Sequence, residues 1–491
     1  MYRIIIISFT FFLAACSLKD PAARESANSE GNAIELLLDS ACVAEYDLYT
    51  GSSIRDFYKR INYKTVWIDQ GTFKPAADSL FRFIQCAAYH GLSPGDYHLK
   101  LITAILKEPY TEISASTIDV LFTDAFFTMY FHLKHGRLVK TSLKRITSFP
   151  VDPVNFGLLI NAVQNNSVAT LLIGQEPQHK EYKLLKKELA ARLNILSGNG
   201  YQKVLVGKRP GSLKMEIEII SLNMERWRWE TYPLPDRLVK VNIPLYELQV
   251  LDCDSIALSS KVVVGARETP TPVLESLIEC FTIYPYWHVP RKISVNELLP
   301  IIQKDTAYLR RNSFDVLDKK GKIVDSRTIA WKRLHADYFP YVLRQREGEE
   351  NSLGIIKFRF DNPYAVYLHD TNAKRHFKQK DRALSHGCVR VEEAVGLAHY
   401  LVKGDSINFS SEDLDQYLSL KEQKEIDLMF PIPIHIKYFT YKVDNGELTF
   451  LEDVYKRDSV MVAALRKNDN STSPSSRQLT FREFIGPKLD Q

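Results

Sequence analysis

The spacing of apolar residues changes character near Arg237. Between Ala33 and Leu193 the repeats are helical. Leu80, Phe83, Ile84 and Ala87 share one face of a helix predicted over Ala76–Tyr89 and stopped by His90-Gly91, and Thr117–His135 reads as a second strong helix ending before Gly136. A further helix is predicted over Glu181–Leu193. From Arg237 the period drops to two. Residues 238–243, 247–251 and 260–265 read as successive strands, with Pro244 and Asp252–Asp254 marking the turns. The pattern is α+β, helices first and a mostly β region after them.

Within the β region, Thr269-Pro270-Thr271-Pro272 is a stiff loop, and a helical insertion is predicted from about 295 to 346, opening with Asn296–Arg310. Leu353–Phe360 reads as a strand, and Tyr364–Leu368 as another that delivers His369 at its end. Ser385-His386-Gly387 is a tight turn, since Gly387 tolerates backbone angles that bulkier residues do not. Val391, Val395, Ala398 and Val402 have helical spacing, stopped by Gly404, which places Cys388 just ahead of an expected helix N-terminus. Pro433–Val443 and Leu448–Phe450 are predicted to form a hairpin across Asp444-Asn445-Gly446.

That arrangement suggests nucleophilic chemistry. A helix start and Arg390 would favour the thiolate of Cys388, and His369, nineteen positions upstream, is far enough away in sequence for a strand and a return to bring both side chains together. The N–H groups of Gly387 and Cys388 would then face an oxyanion. The neighbouring residues carry bland readings too: Arg390 as carboxylate holder or buried anchor, His386 as a tuner of Cys388 or a core histidine, Ser385 as a brace of the turn, and His376 as an exposed loop residue. A zinc site of His369, His376, His386 and Cys388 is disfavoured, because no paired Cys-x-x-Cys or His-x-x-x-His element is present.

His369-Asp370 followed by Ser385-His386-Gly387-Cys388-Val389-Arg390 resembles the motif of the L,D-transpeptidases, bacterial cell-wall enzymes, and Tyr367-Leu368-His369-Asp370-Thr371 is similar to the larger branch with an N-terminal scaffold domain. The resemblance implies Cys388 as nucleophile, His369 as proton acceptor and donor, the Asp370 carbonyl as its orienter, and Gly387 and Tyr367 as oxyanion support. It also implies Arg390, Ser385 and His386 as substrate-binding residues. Peptidoglycan tetrapeptide stems would be donor and acceptor, carbapenem-type inhibitors would acylate Cys388, and no metal or other cofactor is called for. The insertion corresponds to a lid over the substrate groove. The segments Val66-Trp67-Ile68, His90–Tyr97 and Leu133–Arg137 resemble the scaffold domain, but Asn194–Glu218 is too short for the peptidoglycan-binding module expected there. Trp227 and Trp229 are a packing plug or, less simply, a sugar-stacking pair. An L,D-carboxypeptidase on the same site and a non-catalytic, lipid-anchored wall-binding protein are the alternatives.

Composition changes the picture little. Of 491 residues 45% are hydrophobic and 25% charged, with room for two or three domains, and a net charge of +5 carries no nucleic-acid footprint. The N-terminus adds more. Arg3, an apolar run over Ile4–Leu13 and Leu13-Ala14-Ala15-Cys16 read as an export signal over 1–16 resembling a lipobox, with Cys16 lipidated. Ser17 after it favours the outer membrane, facing the periplasm. Residues 17–33 form a tether, 34–193 the helical domain, 194–236 a connector, 237–412 the catalytic domain, 413–466 an extension with a hairpin and 467–491 a polar tail. Besides Cys16 and Cys388, the cysteines Cys42, Cys86, Cys253 and Cys280 lack regular spacing, and no obligatory disulfide is expected.

Overall fold

The computed structural model describes residues 30–38, 48–69, 71–107, 112–197, 210–253, 255–403, 409–444 and 446–466. Cys16, Cys42, residues 17–29 of the expected tether, the tail and Gly404 lie outside them, while residues 30–33, also expected to be tether, open the helix Glu30–Leu37. The chain divides into two compact units, Met1–Pro233 together with Lys456–Gln491, and Leu234–Tyr455. The first is helical and the second mostly β.

The helical unit is built round Glu112–His135. Ile118, Leu121, Phe122, Ala125, Phe126, Phe127, Met129 and Leu133 are buried on several sides of this helix, so neighbours surround it rather than flank one face. Helices Ser52–Arg60, Pro75–Gln85 and Val154–Gln164 supply that packing. Pro75–Gln85 is followed by a 3-10 turn at Ala87–His90 and by Gly91 at φ +67°. A short ribbon, β1 (Ile68–Asp69) and β2 (Thr72–Phe73), is tied to the central helix through Asp119. The buried Asp119 carboxylate accepts from the N–H groups of Val66 and Trp67 and from the Tyr58 hydroxyl, so the loop's donors are satisfied without water.

The predicted connector contains a helix, Pro210–Trp227, which packs on Lys180–Leu196. Trp227 is 1% exposed and lies 4.6 Å from the His179 ring, so it is a core residue of the helical unit with no free face for a sugar. The predicted C-terminal extension also divides. Helix Arg457–Arg466 places Met461 and Leu465 against Leu138 and Leu222 of the helical unit, while residues up to Tyr455 stay with the β unit.

The β unit is a closed barrel. Strands β3 (Arg237–Asn242), β4 (Glu247–Asp252), β5 (Ser255–Gly265) and β6 (Leu274–Ile283) follow the alternation of the sequence. β7 (Trp287–His288) lies just ahead of the insertion, which contributes β8 (Phe314–Leu317), β9 (Ile323–Val324) and β10 (Val342–Gln345). Beyond it come β11 (Ile356–Phe360), β12 (Leu368–His369), β13 (Ala383–Ser385), β14 (Val389–Val391) and β15 (Lys424–Lys437). A hairpin of β16 (Tyr441–Asp444) and β17 (Glu447–Phe450) ends the unit. The main sheet runs β13-β5-β14-β12-β11-β6-β15-β3-β4, and β4 pairs back onto β5. Val239, Val250, Val262, Phe281, Phe358, Leu368, Val389 and Ile434 belong to the core that this closure encloses.

The insertion is less helical than the sequence suggested. Its α-helices end at Arg311, only the 3-10 turns Ser326–Thr328 and Trp331–Arg333 follow, and β7-β10-β8-β9 form a separate four-stranded sheet over a small core of Leu299, Ile302, Phe314, Trp331 and Leu343. The alternation in Phe314-Asp315-Val316-Leu317 was too short to stand out beside the preceding helical run. Replacing Asp119 with Ala should destabilise the helical unit by about 2–4 kcal/mol, because two buried N–H groups lose their acceptor; urea unfolding monitored by circular dichroism measures it.

Candidate active site

Alternation on three adjacent strands sets one face of the site. Ile356, Phe358, Leu368, Val389 and Val391 are core residues of the barrel, which leaves Lys357, His369 and Arg390 on its outer face. The register makes them neighbours: β12 pairs in parallel with β14 through His369↔Arg390, and antiparallel with β11 through His369↔Lys357. Leu368↔Val389 sets the same register one residue earlier. A further step back brings Tyr367 opposite Cys388 on the outer face, beside the row Arg390, His369, Lys357.

Tyr367 holds the sulfur. Both its backbone N–H and its hydroxyl donate to Cys388 Sγ, and the Trp287 side chain donates to that hydroxyl from β7. Burial raises the Cys388 thiol above its ordinary pKa, with Tyr367, Lys357 and Arg390 opposing. Burial also raises the Tyr367 phenol. His369 is 5% exposed, and its Nδ1 donates to the carbonyl of Asp370. Burial first, then the charges of Arg390 and Lys357, press its pKa down to about 3. The ring is neutral, with its lone pair on Nε2.

Behind His369, the Asp370 carboxylate accepts from the Ile355 N–H at 3.0 Å and pairs with Lys374. Gly354, at φ +62°, lies so close that a Cβ there would sit 2.3 Å from Asp370 Oδ2. The turn before Cys388 is braced as tightly. Gly387 adopts φ +114°, its N–H donates to Ser385 Oγ at 3.1 Å, and the Ser385 hydroxyl donates to the Cys388 carbonyl. From the Thr-Pro-Thr-Pro loop, the Thr271 hydroxyl donates to the Gly387 carbonyl and accepts from the Gly265 N–H, both at 2.8 Å.

Several expectations need correcting. Cys388 leads into strand β14, and the helix begins only at Ala394, so no helix N-terminus reaches the sulfur and the resting group is a thiol. The pattern Val391, Val395, Ala398, Val402 mixed one strand residue with three helical ones. Tyr364–Leu368 is not a strand over its length; β12 holds only Leu368 and His369. The Gly387 N–H is engaged by Ser385, whereas the Cys388 N–H has no acceptor among the described residues. Ser385 is 3% exposed and occupied within the turn. His386 is no core residue: it is about half exposed and its Nε2 lies 2.7 Å from Glu297 of the insertion. His376, expected to be exposed, is partly buried, and its Nδ1 accepts from Arg390 Nη1 at 3.0 Å.

Sequence reasoning missed Lys357, Trp287 and the bracing by Thr271. The alternation of Ile356-Lys357-Phe358 could have revealed Lys357, but nothing local marked the other two. Cys86, Cys253, Cys280 and Cys388 are free thiols. The one group of metal-ligand type among the described residues is Cys280, Glu425 and Asp427, not the histidines near Cys388. Arg359 already contacts Glu425 there, at 3.3 Å.

A barrel carrying Cys388 and His369 on paired strands, preceded by a helical unit, agrees with what the family models find: an L,D-transpeptidase catalytic domain at residues 236–408 and a scaffold domain at 52–189. The chain thus carries the catalytic domain of the L,D-transpeptidase family together with its scaffold domain. It is 33% identical over 241 residues to a curated Haemophilus influenzae protein named "Putative L,D-transpeptidase", covering 49% of this chain and 48% of that protein. The matched region therefore spans about half the length of that relative. The crystal structure of Mycobacterium tuberculosis L,D-transpeptidase 1 aligns over 41% of this chain and 61% of its own, at 11% identity and a TM-score of 0.16.

The raised thiol gives a direct test. Alkylation of Cys388 by iodoacetamide, followed by mass spectrometry against pH, should show a midpoint above that of an ordinary cysteine, and Tyr367→Phe should move it higher still because one donor to the thiolate is lost.

Proposed function

We propose that the catalytic domain cross-links peptidoglycan stem peptides through a thioester on Cys388, releasing the terminal D-alanine of the donor. The observation that carries this reading is the pairing of β12 with β14, with a neutral His369 and a thiol held by Tyr367 on one face. In the first half-reaction Nε2 of His369 takes the thiol proton as sulfur attacks the donor carbonyl. The carbon–sulfur bond forms, and the negative charge moves to oxygen, facing the Cys388 N–H and the Tyr367 hydroxyl. The carbon–nitrogen bond then breaks, and His369 returns its proton to the leaving amine. In the second, an acceptor amine loses a proton to His369 as it attacks the thioester carbonyl, the carbon–sulfur bond breaks as the new amide forms, and the departing sulfur takes the proton back from His369.

The Asp370 carbonyl fixes the tautomer this sequence requires, because a carbonyl accepts only from a protonated Nδ1. Arg390 keeps the imidazole neutral and serves as an anchor for substrate charge. The apolar run ending at Cys16 supports export to the bacterial envelope, with a lipid anchor on that cysteine, a periplasmic orientation and the outer membrane favoured over the inner one. Carbapenem-type inhibitors would acylate the same sulfur.

Incubation with disaccharide-tetrapeptide tests the assignment. Wild type should yield cross-linked dimer and free D-alanine, and Cys388→Ala neither, with an unchanged circular dichroism spectrum. Trimmed monomer without dimer would make the protein an L,D-carboxypeptidase, and absence of both products would leave a wall-binding protein.

A further inference from the structure

Lys357 is a cation without an anion. Its ammonium lies 4.3 Å from the centroid of the Tyr367 ring, partly buried, and it forms no ion pair among the described residues. Three other cations of the β unit do have carboxylate partners: Arg359 with Glu425, Arg344 with Asp315, and the buried Lys437 with Glu275. Arg390 also has no carboxylate partner among the described residues: its Nη1 donates to the His376 imidazole and its Nε is buried without a partner. Lys357 and Arg390 flank His369 in a single cross-strand row. Burial already lowers the Lys357 pKa, so the charge is held at a cost that an incoming anion would offset.

We propose that Lys357 reads the free α-carboxylate of the residue that leaves the donor stem, and so restricts the enzyme to stems ending one residue beyond the scissile carbonyl. The inference rests on the transpeptidase reading above. The Tyr367 hydroxyl bonds the sulfur, and the Lys357 ammonium sits over the same ring. A carbonyl placed for attack by that sulfur brings a terminal carboxylate to about 4 Å beyond it, alongside the ring, as fixed by the N–Cα and Cα–C bonds between them. One further residue replaces that charge by a neutral peptide carbonyl and shifts the carboxylate onward by roughly 3.5 Å.

A rival role for Lys357 is to favour the Cys388 thiolate and nothing more. The two roles separate on a pair of donors, a stem tetrapeptide as free acid and the same peptide as its C-terminal amide. Wild type should prefer the acid in kcat/KM by roughly ten- to a hundredfold. That ratio should collapse toward one in Lys357→Met and persist in Lys357→Arg. An unchanged ratio in Lys357→Met, with both donors slowed alike, leaves only the effect on sulfur and overturns the proposal. Should Lys357→Met fail to fold, a wild-type ratio near one overturns it alone. Wild type that transfers neither peptide refutes the transpeptidase reading itself.

Discussion

The site depends on withholding charge from two ionisable groups while placing two permanent cations beside them. Burial pushes the Cys388 thiol up and the His369 imidazole down to about 3, so the resting pair is neutral on both sides. Lys357 and Arg390 deepen the depression of His369 and pull the thiol the other way. On the proposed mechanism such a pair would gain ionic character only when substrate arrives and a proton moves.

The barrel makes this arrangement durable. Parallel pairing of two very short strands gives the alignment of His369 with Arg390, and a one-residue slip would turn both side chains into the apolar interior. Short strands have little register strength of their own. Here it comes from the flanks: Asp370 reaches back to Ile355 over a glycine that leaves no room for a side chain, and Thr271 clamps the turn before Cys388. Trp287, just ahead of the insertion, reaches the Tyr367 hydroxyl, and Glu297 within it reaches His386, so the face bearing the sulfur is completed by residues about a hundred positions upstream of Cys388.

Much of this was legible in the sequence. The change of period at Arg237 separated the helical region from the barrel, and the motifs around Cys388 and His369 pointed to the family whose catalytic-domain model matches residues 236–408. The electrostatics were not legible. A helix start was inferred beside Cys388 because Val391 and Val395 have helical spacing, yet Val391 completes a strand. Lys357 looked like one more basic residue in a strand, since its isolation from carboxylates depends on strands far apart in the chain. The insertion's sheet was hidden for a related reason: its strands are two to four residues long and pair across the intervening helices and turns.

The most direct test is the protonation state of His369 in the resting protein. Nitrogen-15 spectra of histidine-labelled protein, with His369→Gln to assign the signal, should show a neutral ring protonated at Nδ1 and unchanged from pH 7 to pH 5. A ring that becomes imidazolium within that range would contradict the account, since burial and the flanking Arg390 and Lys357 would then not be holding it neutral.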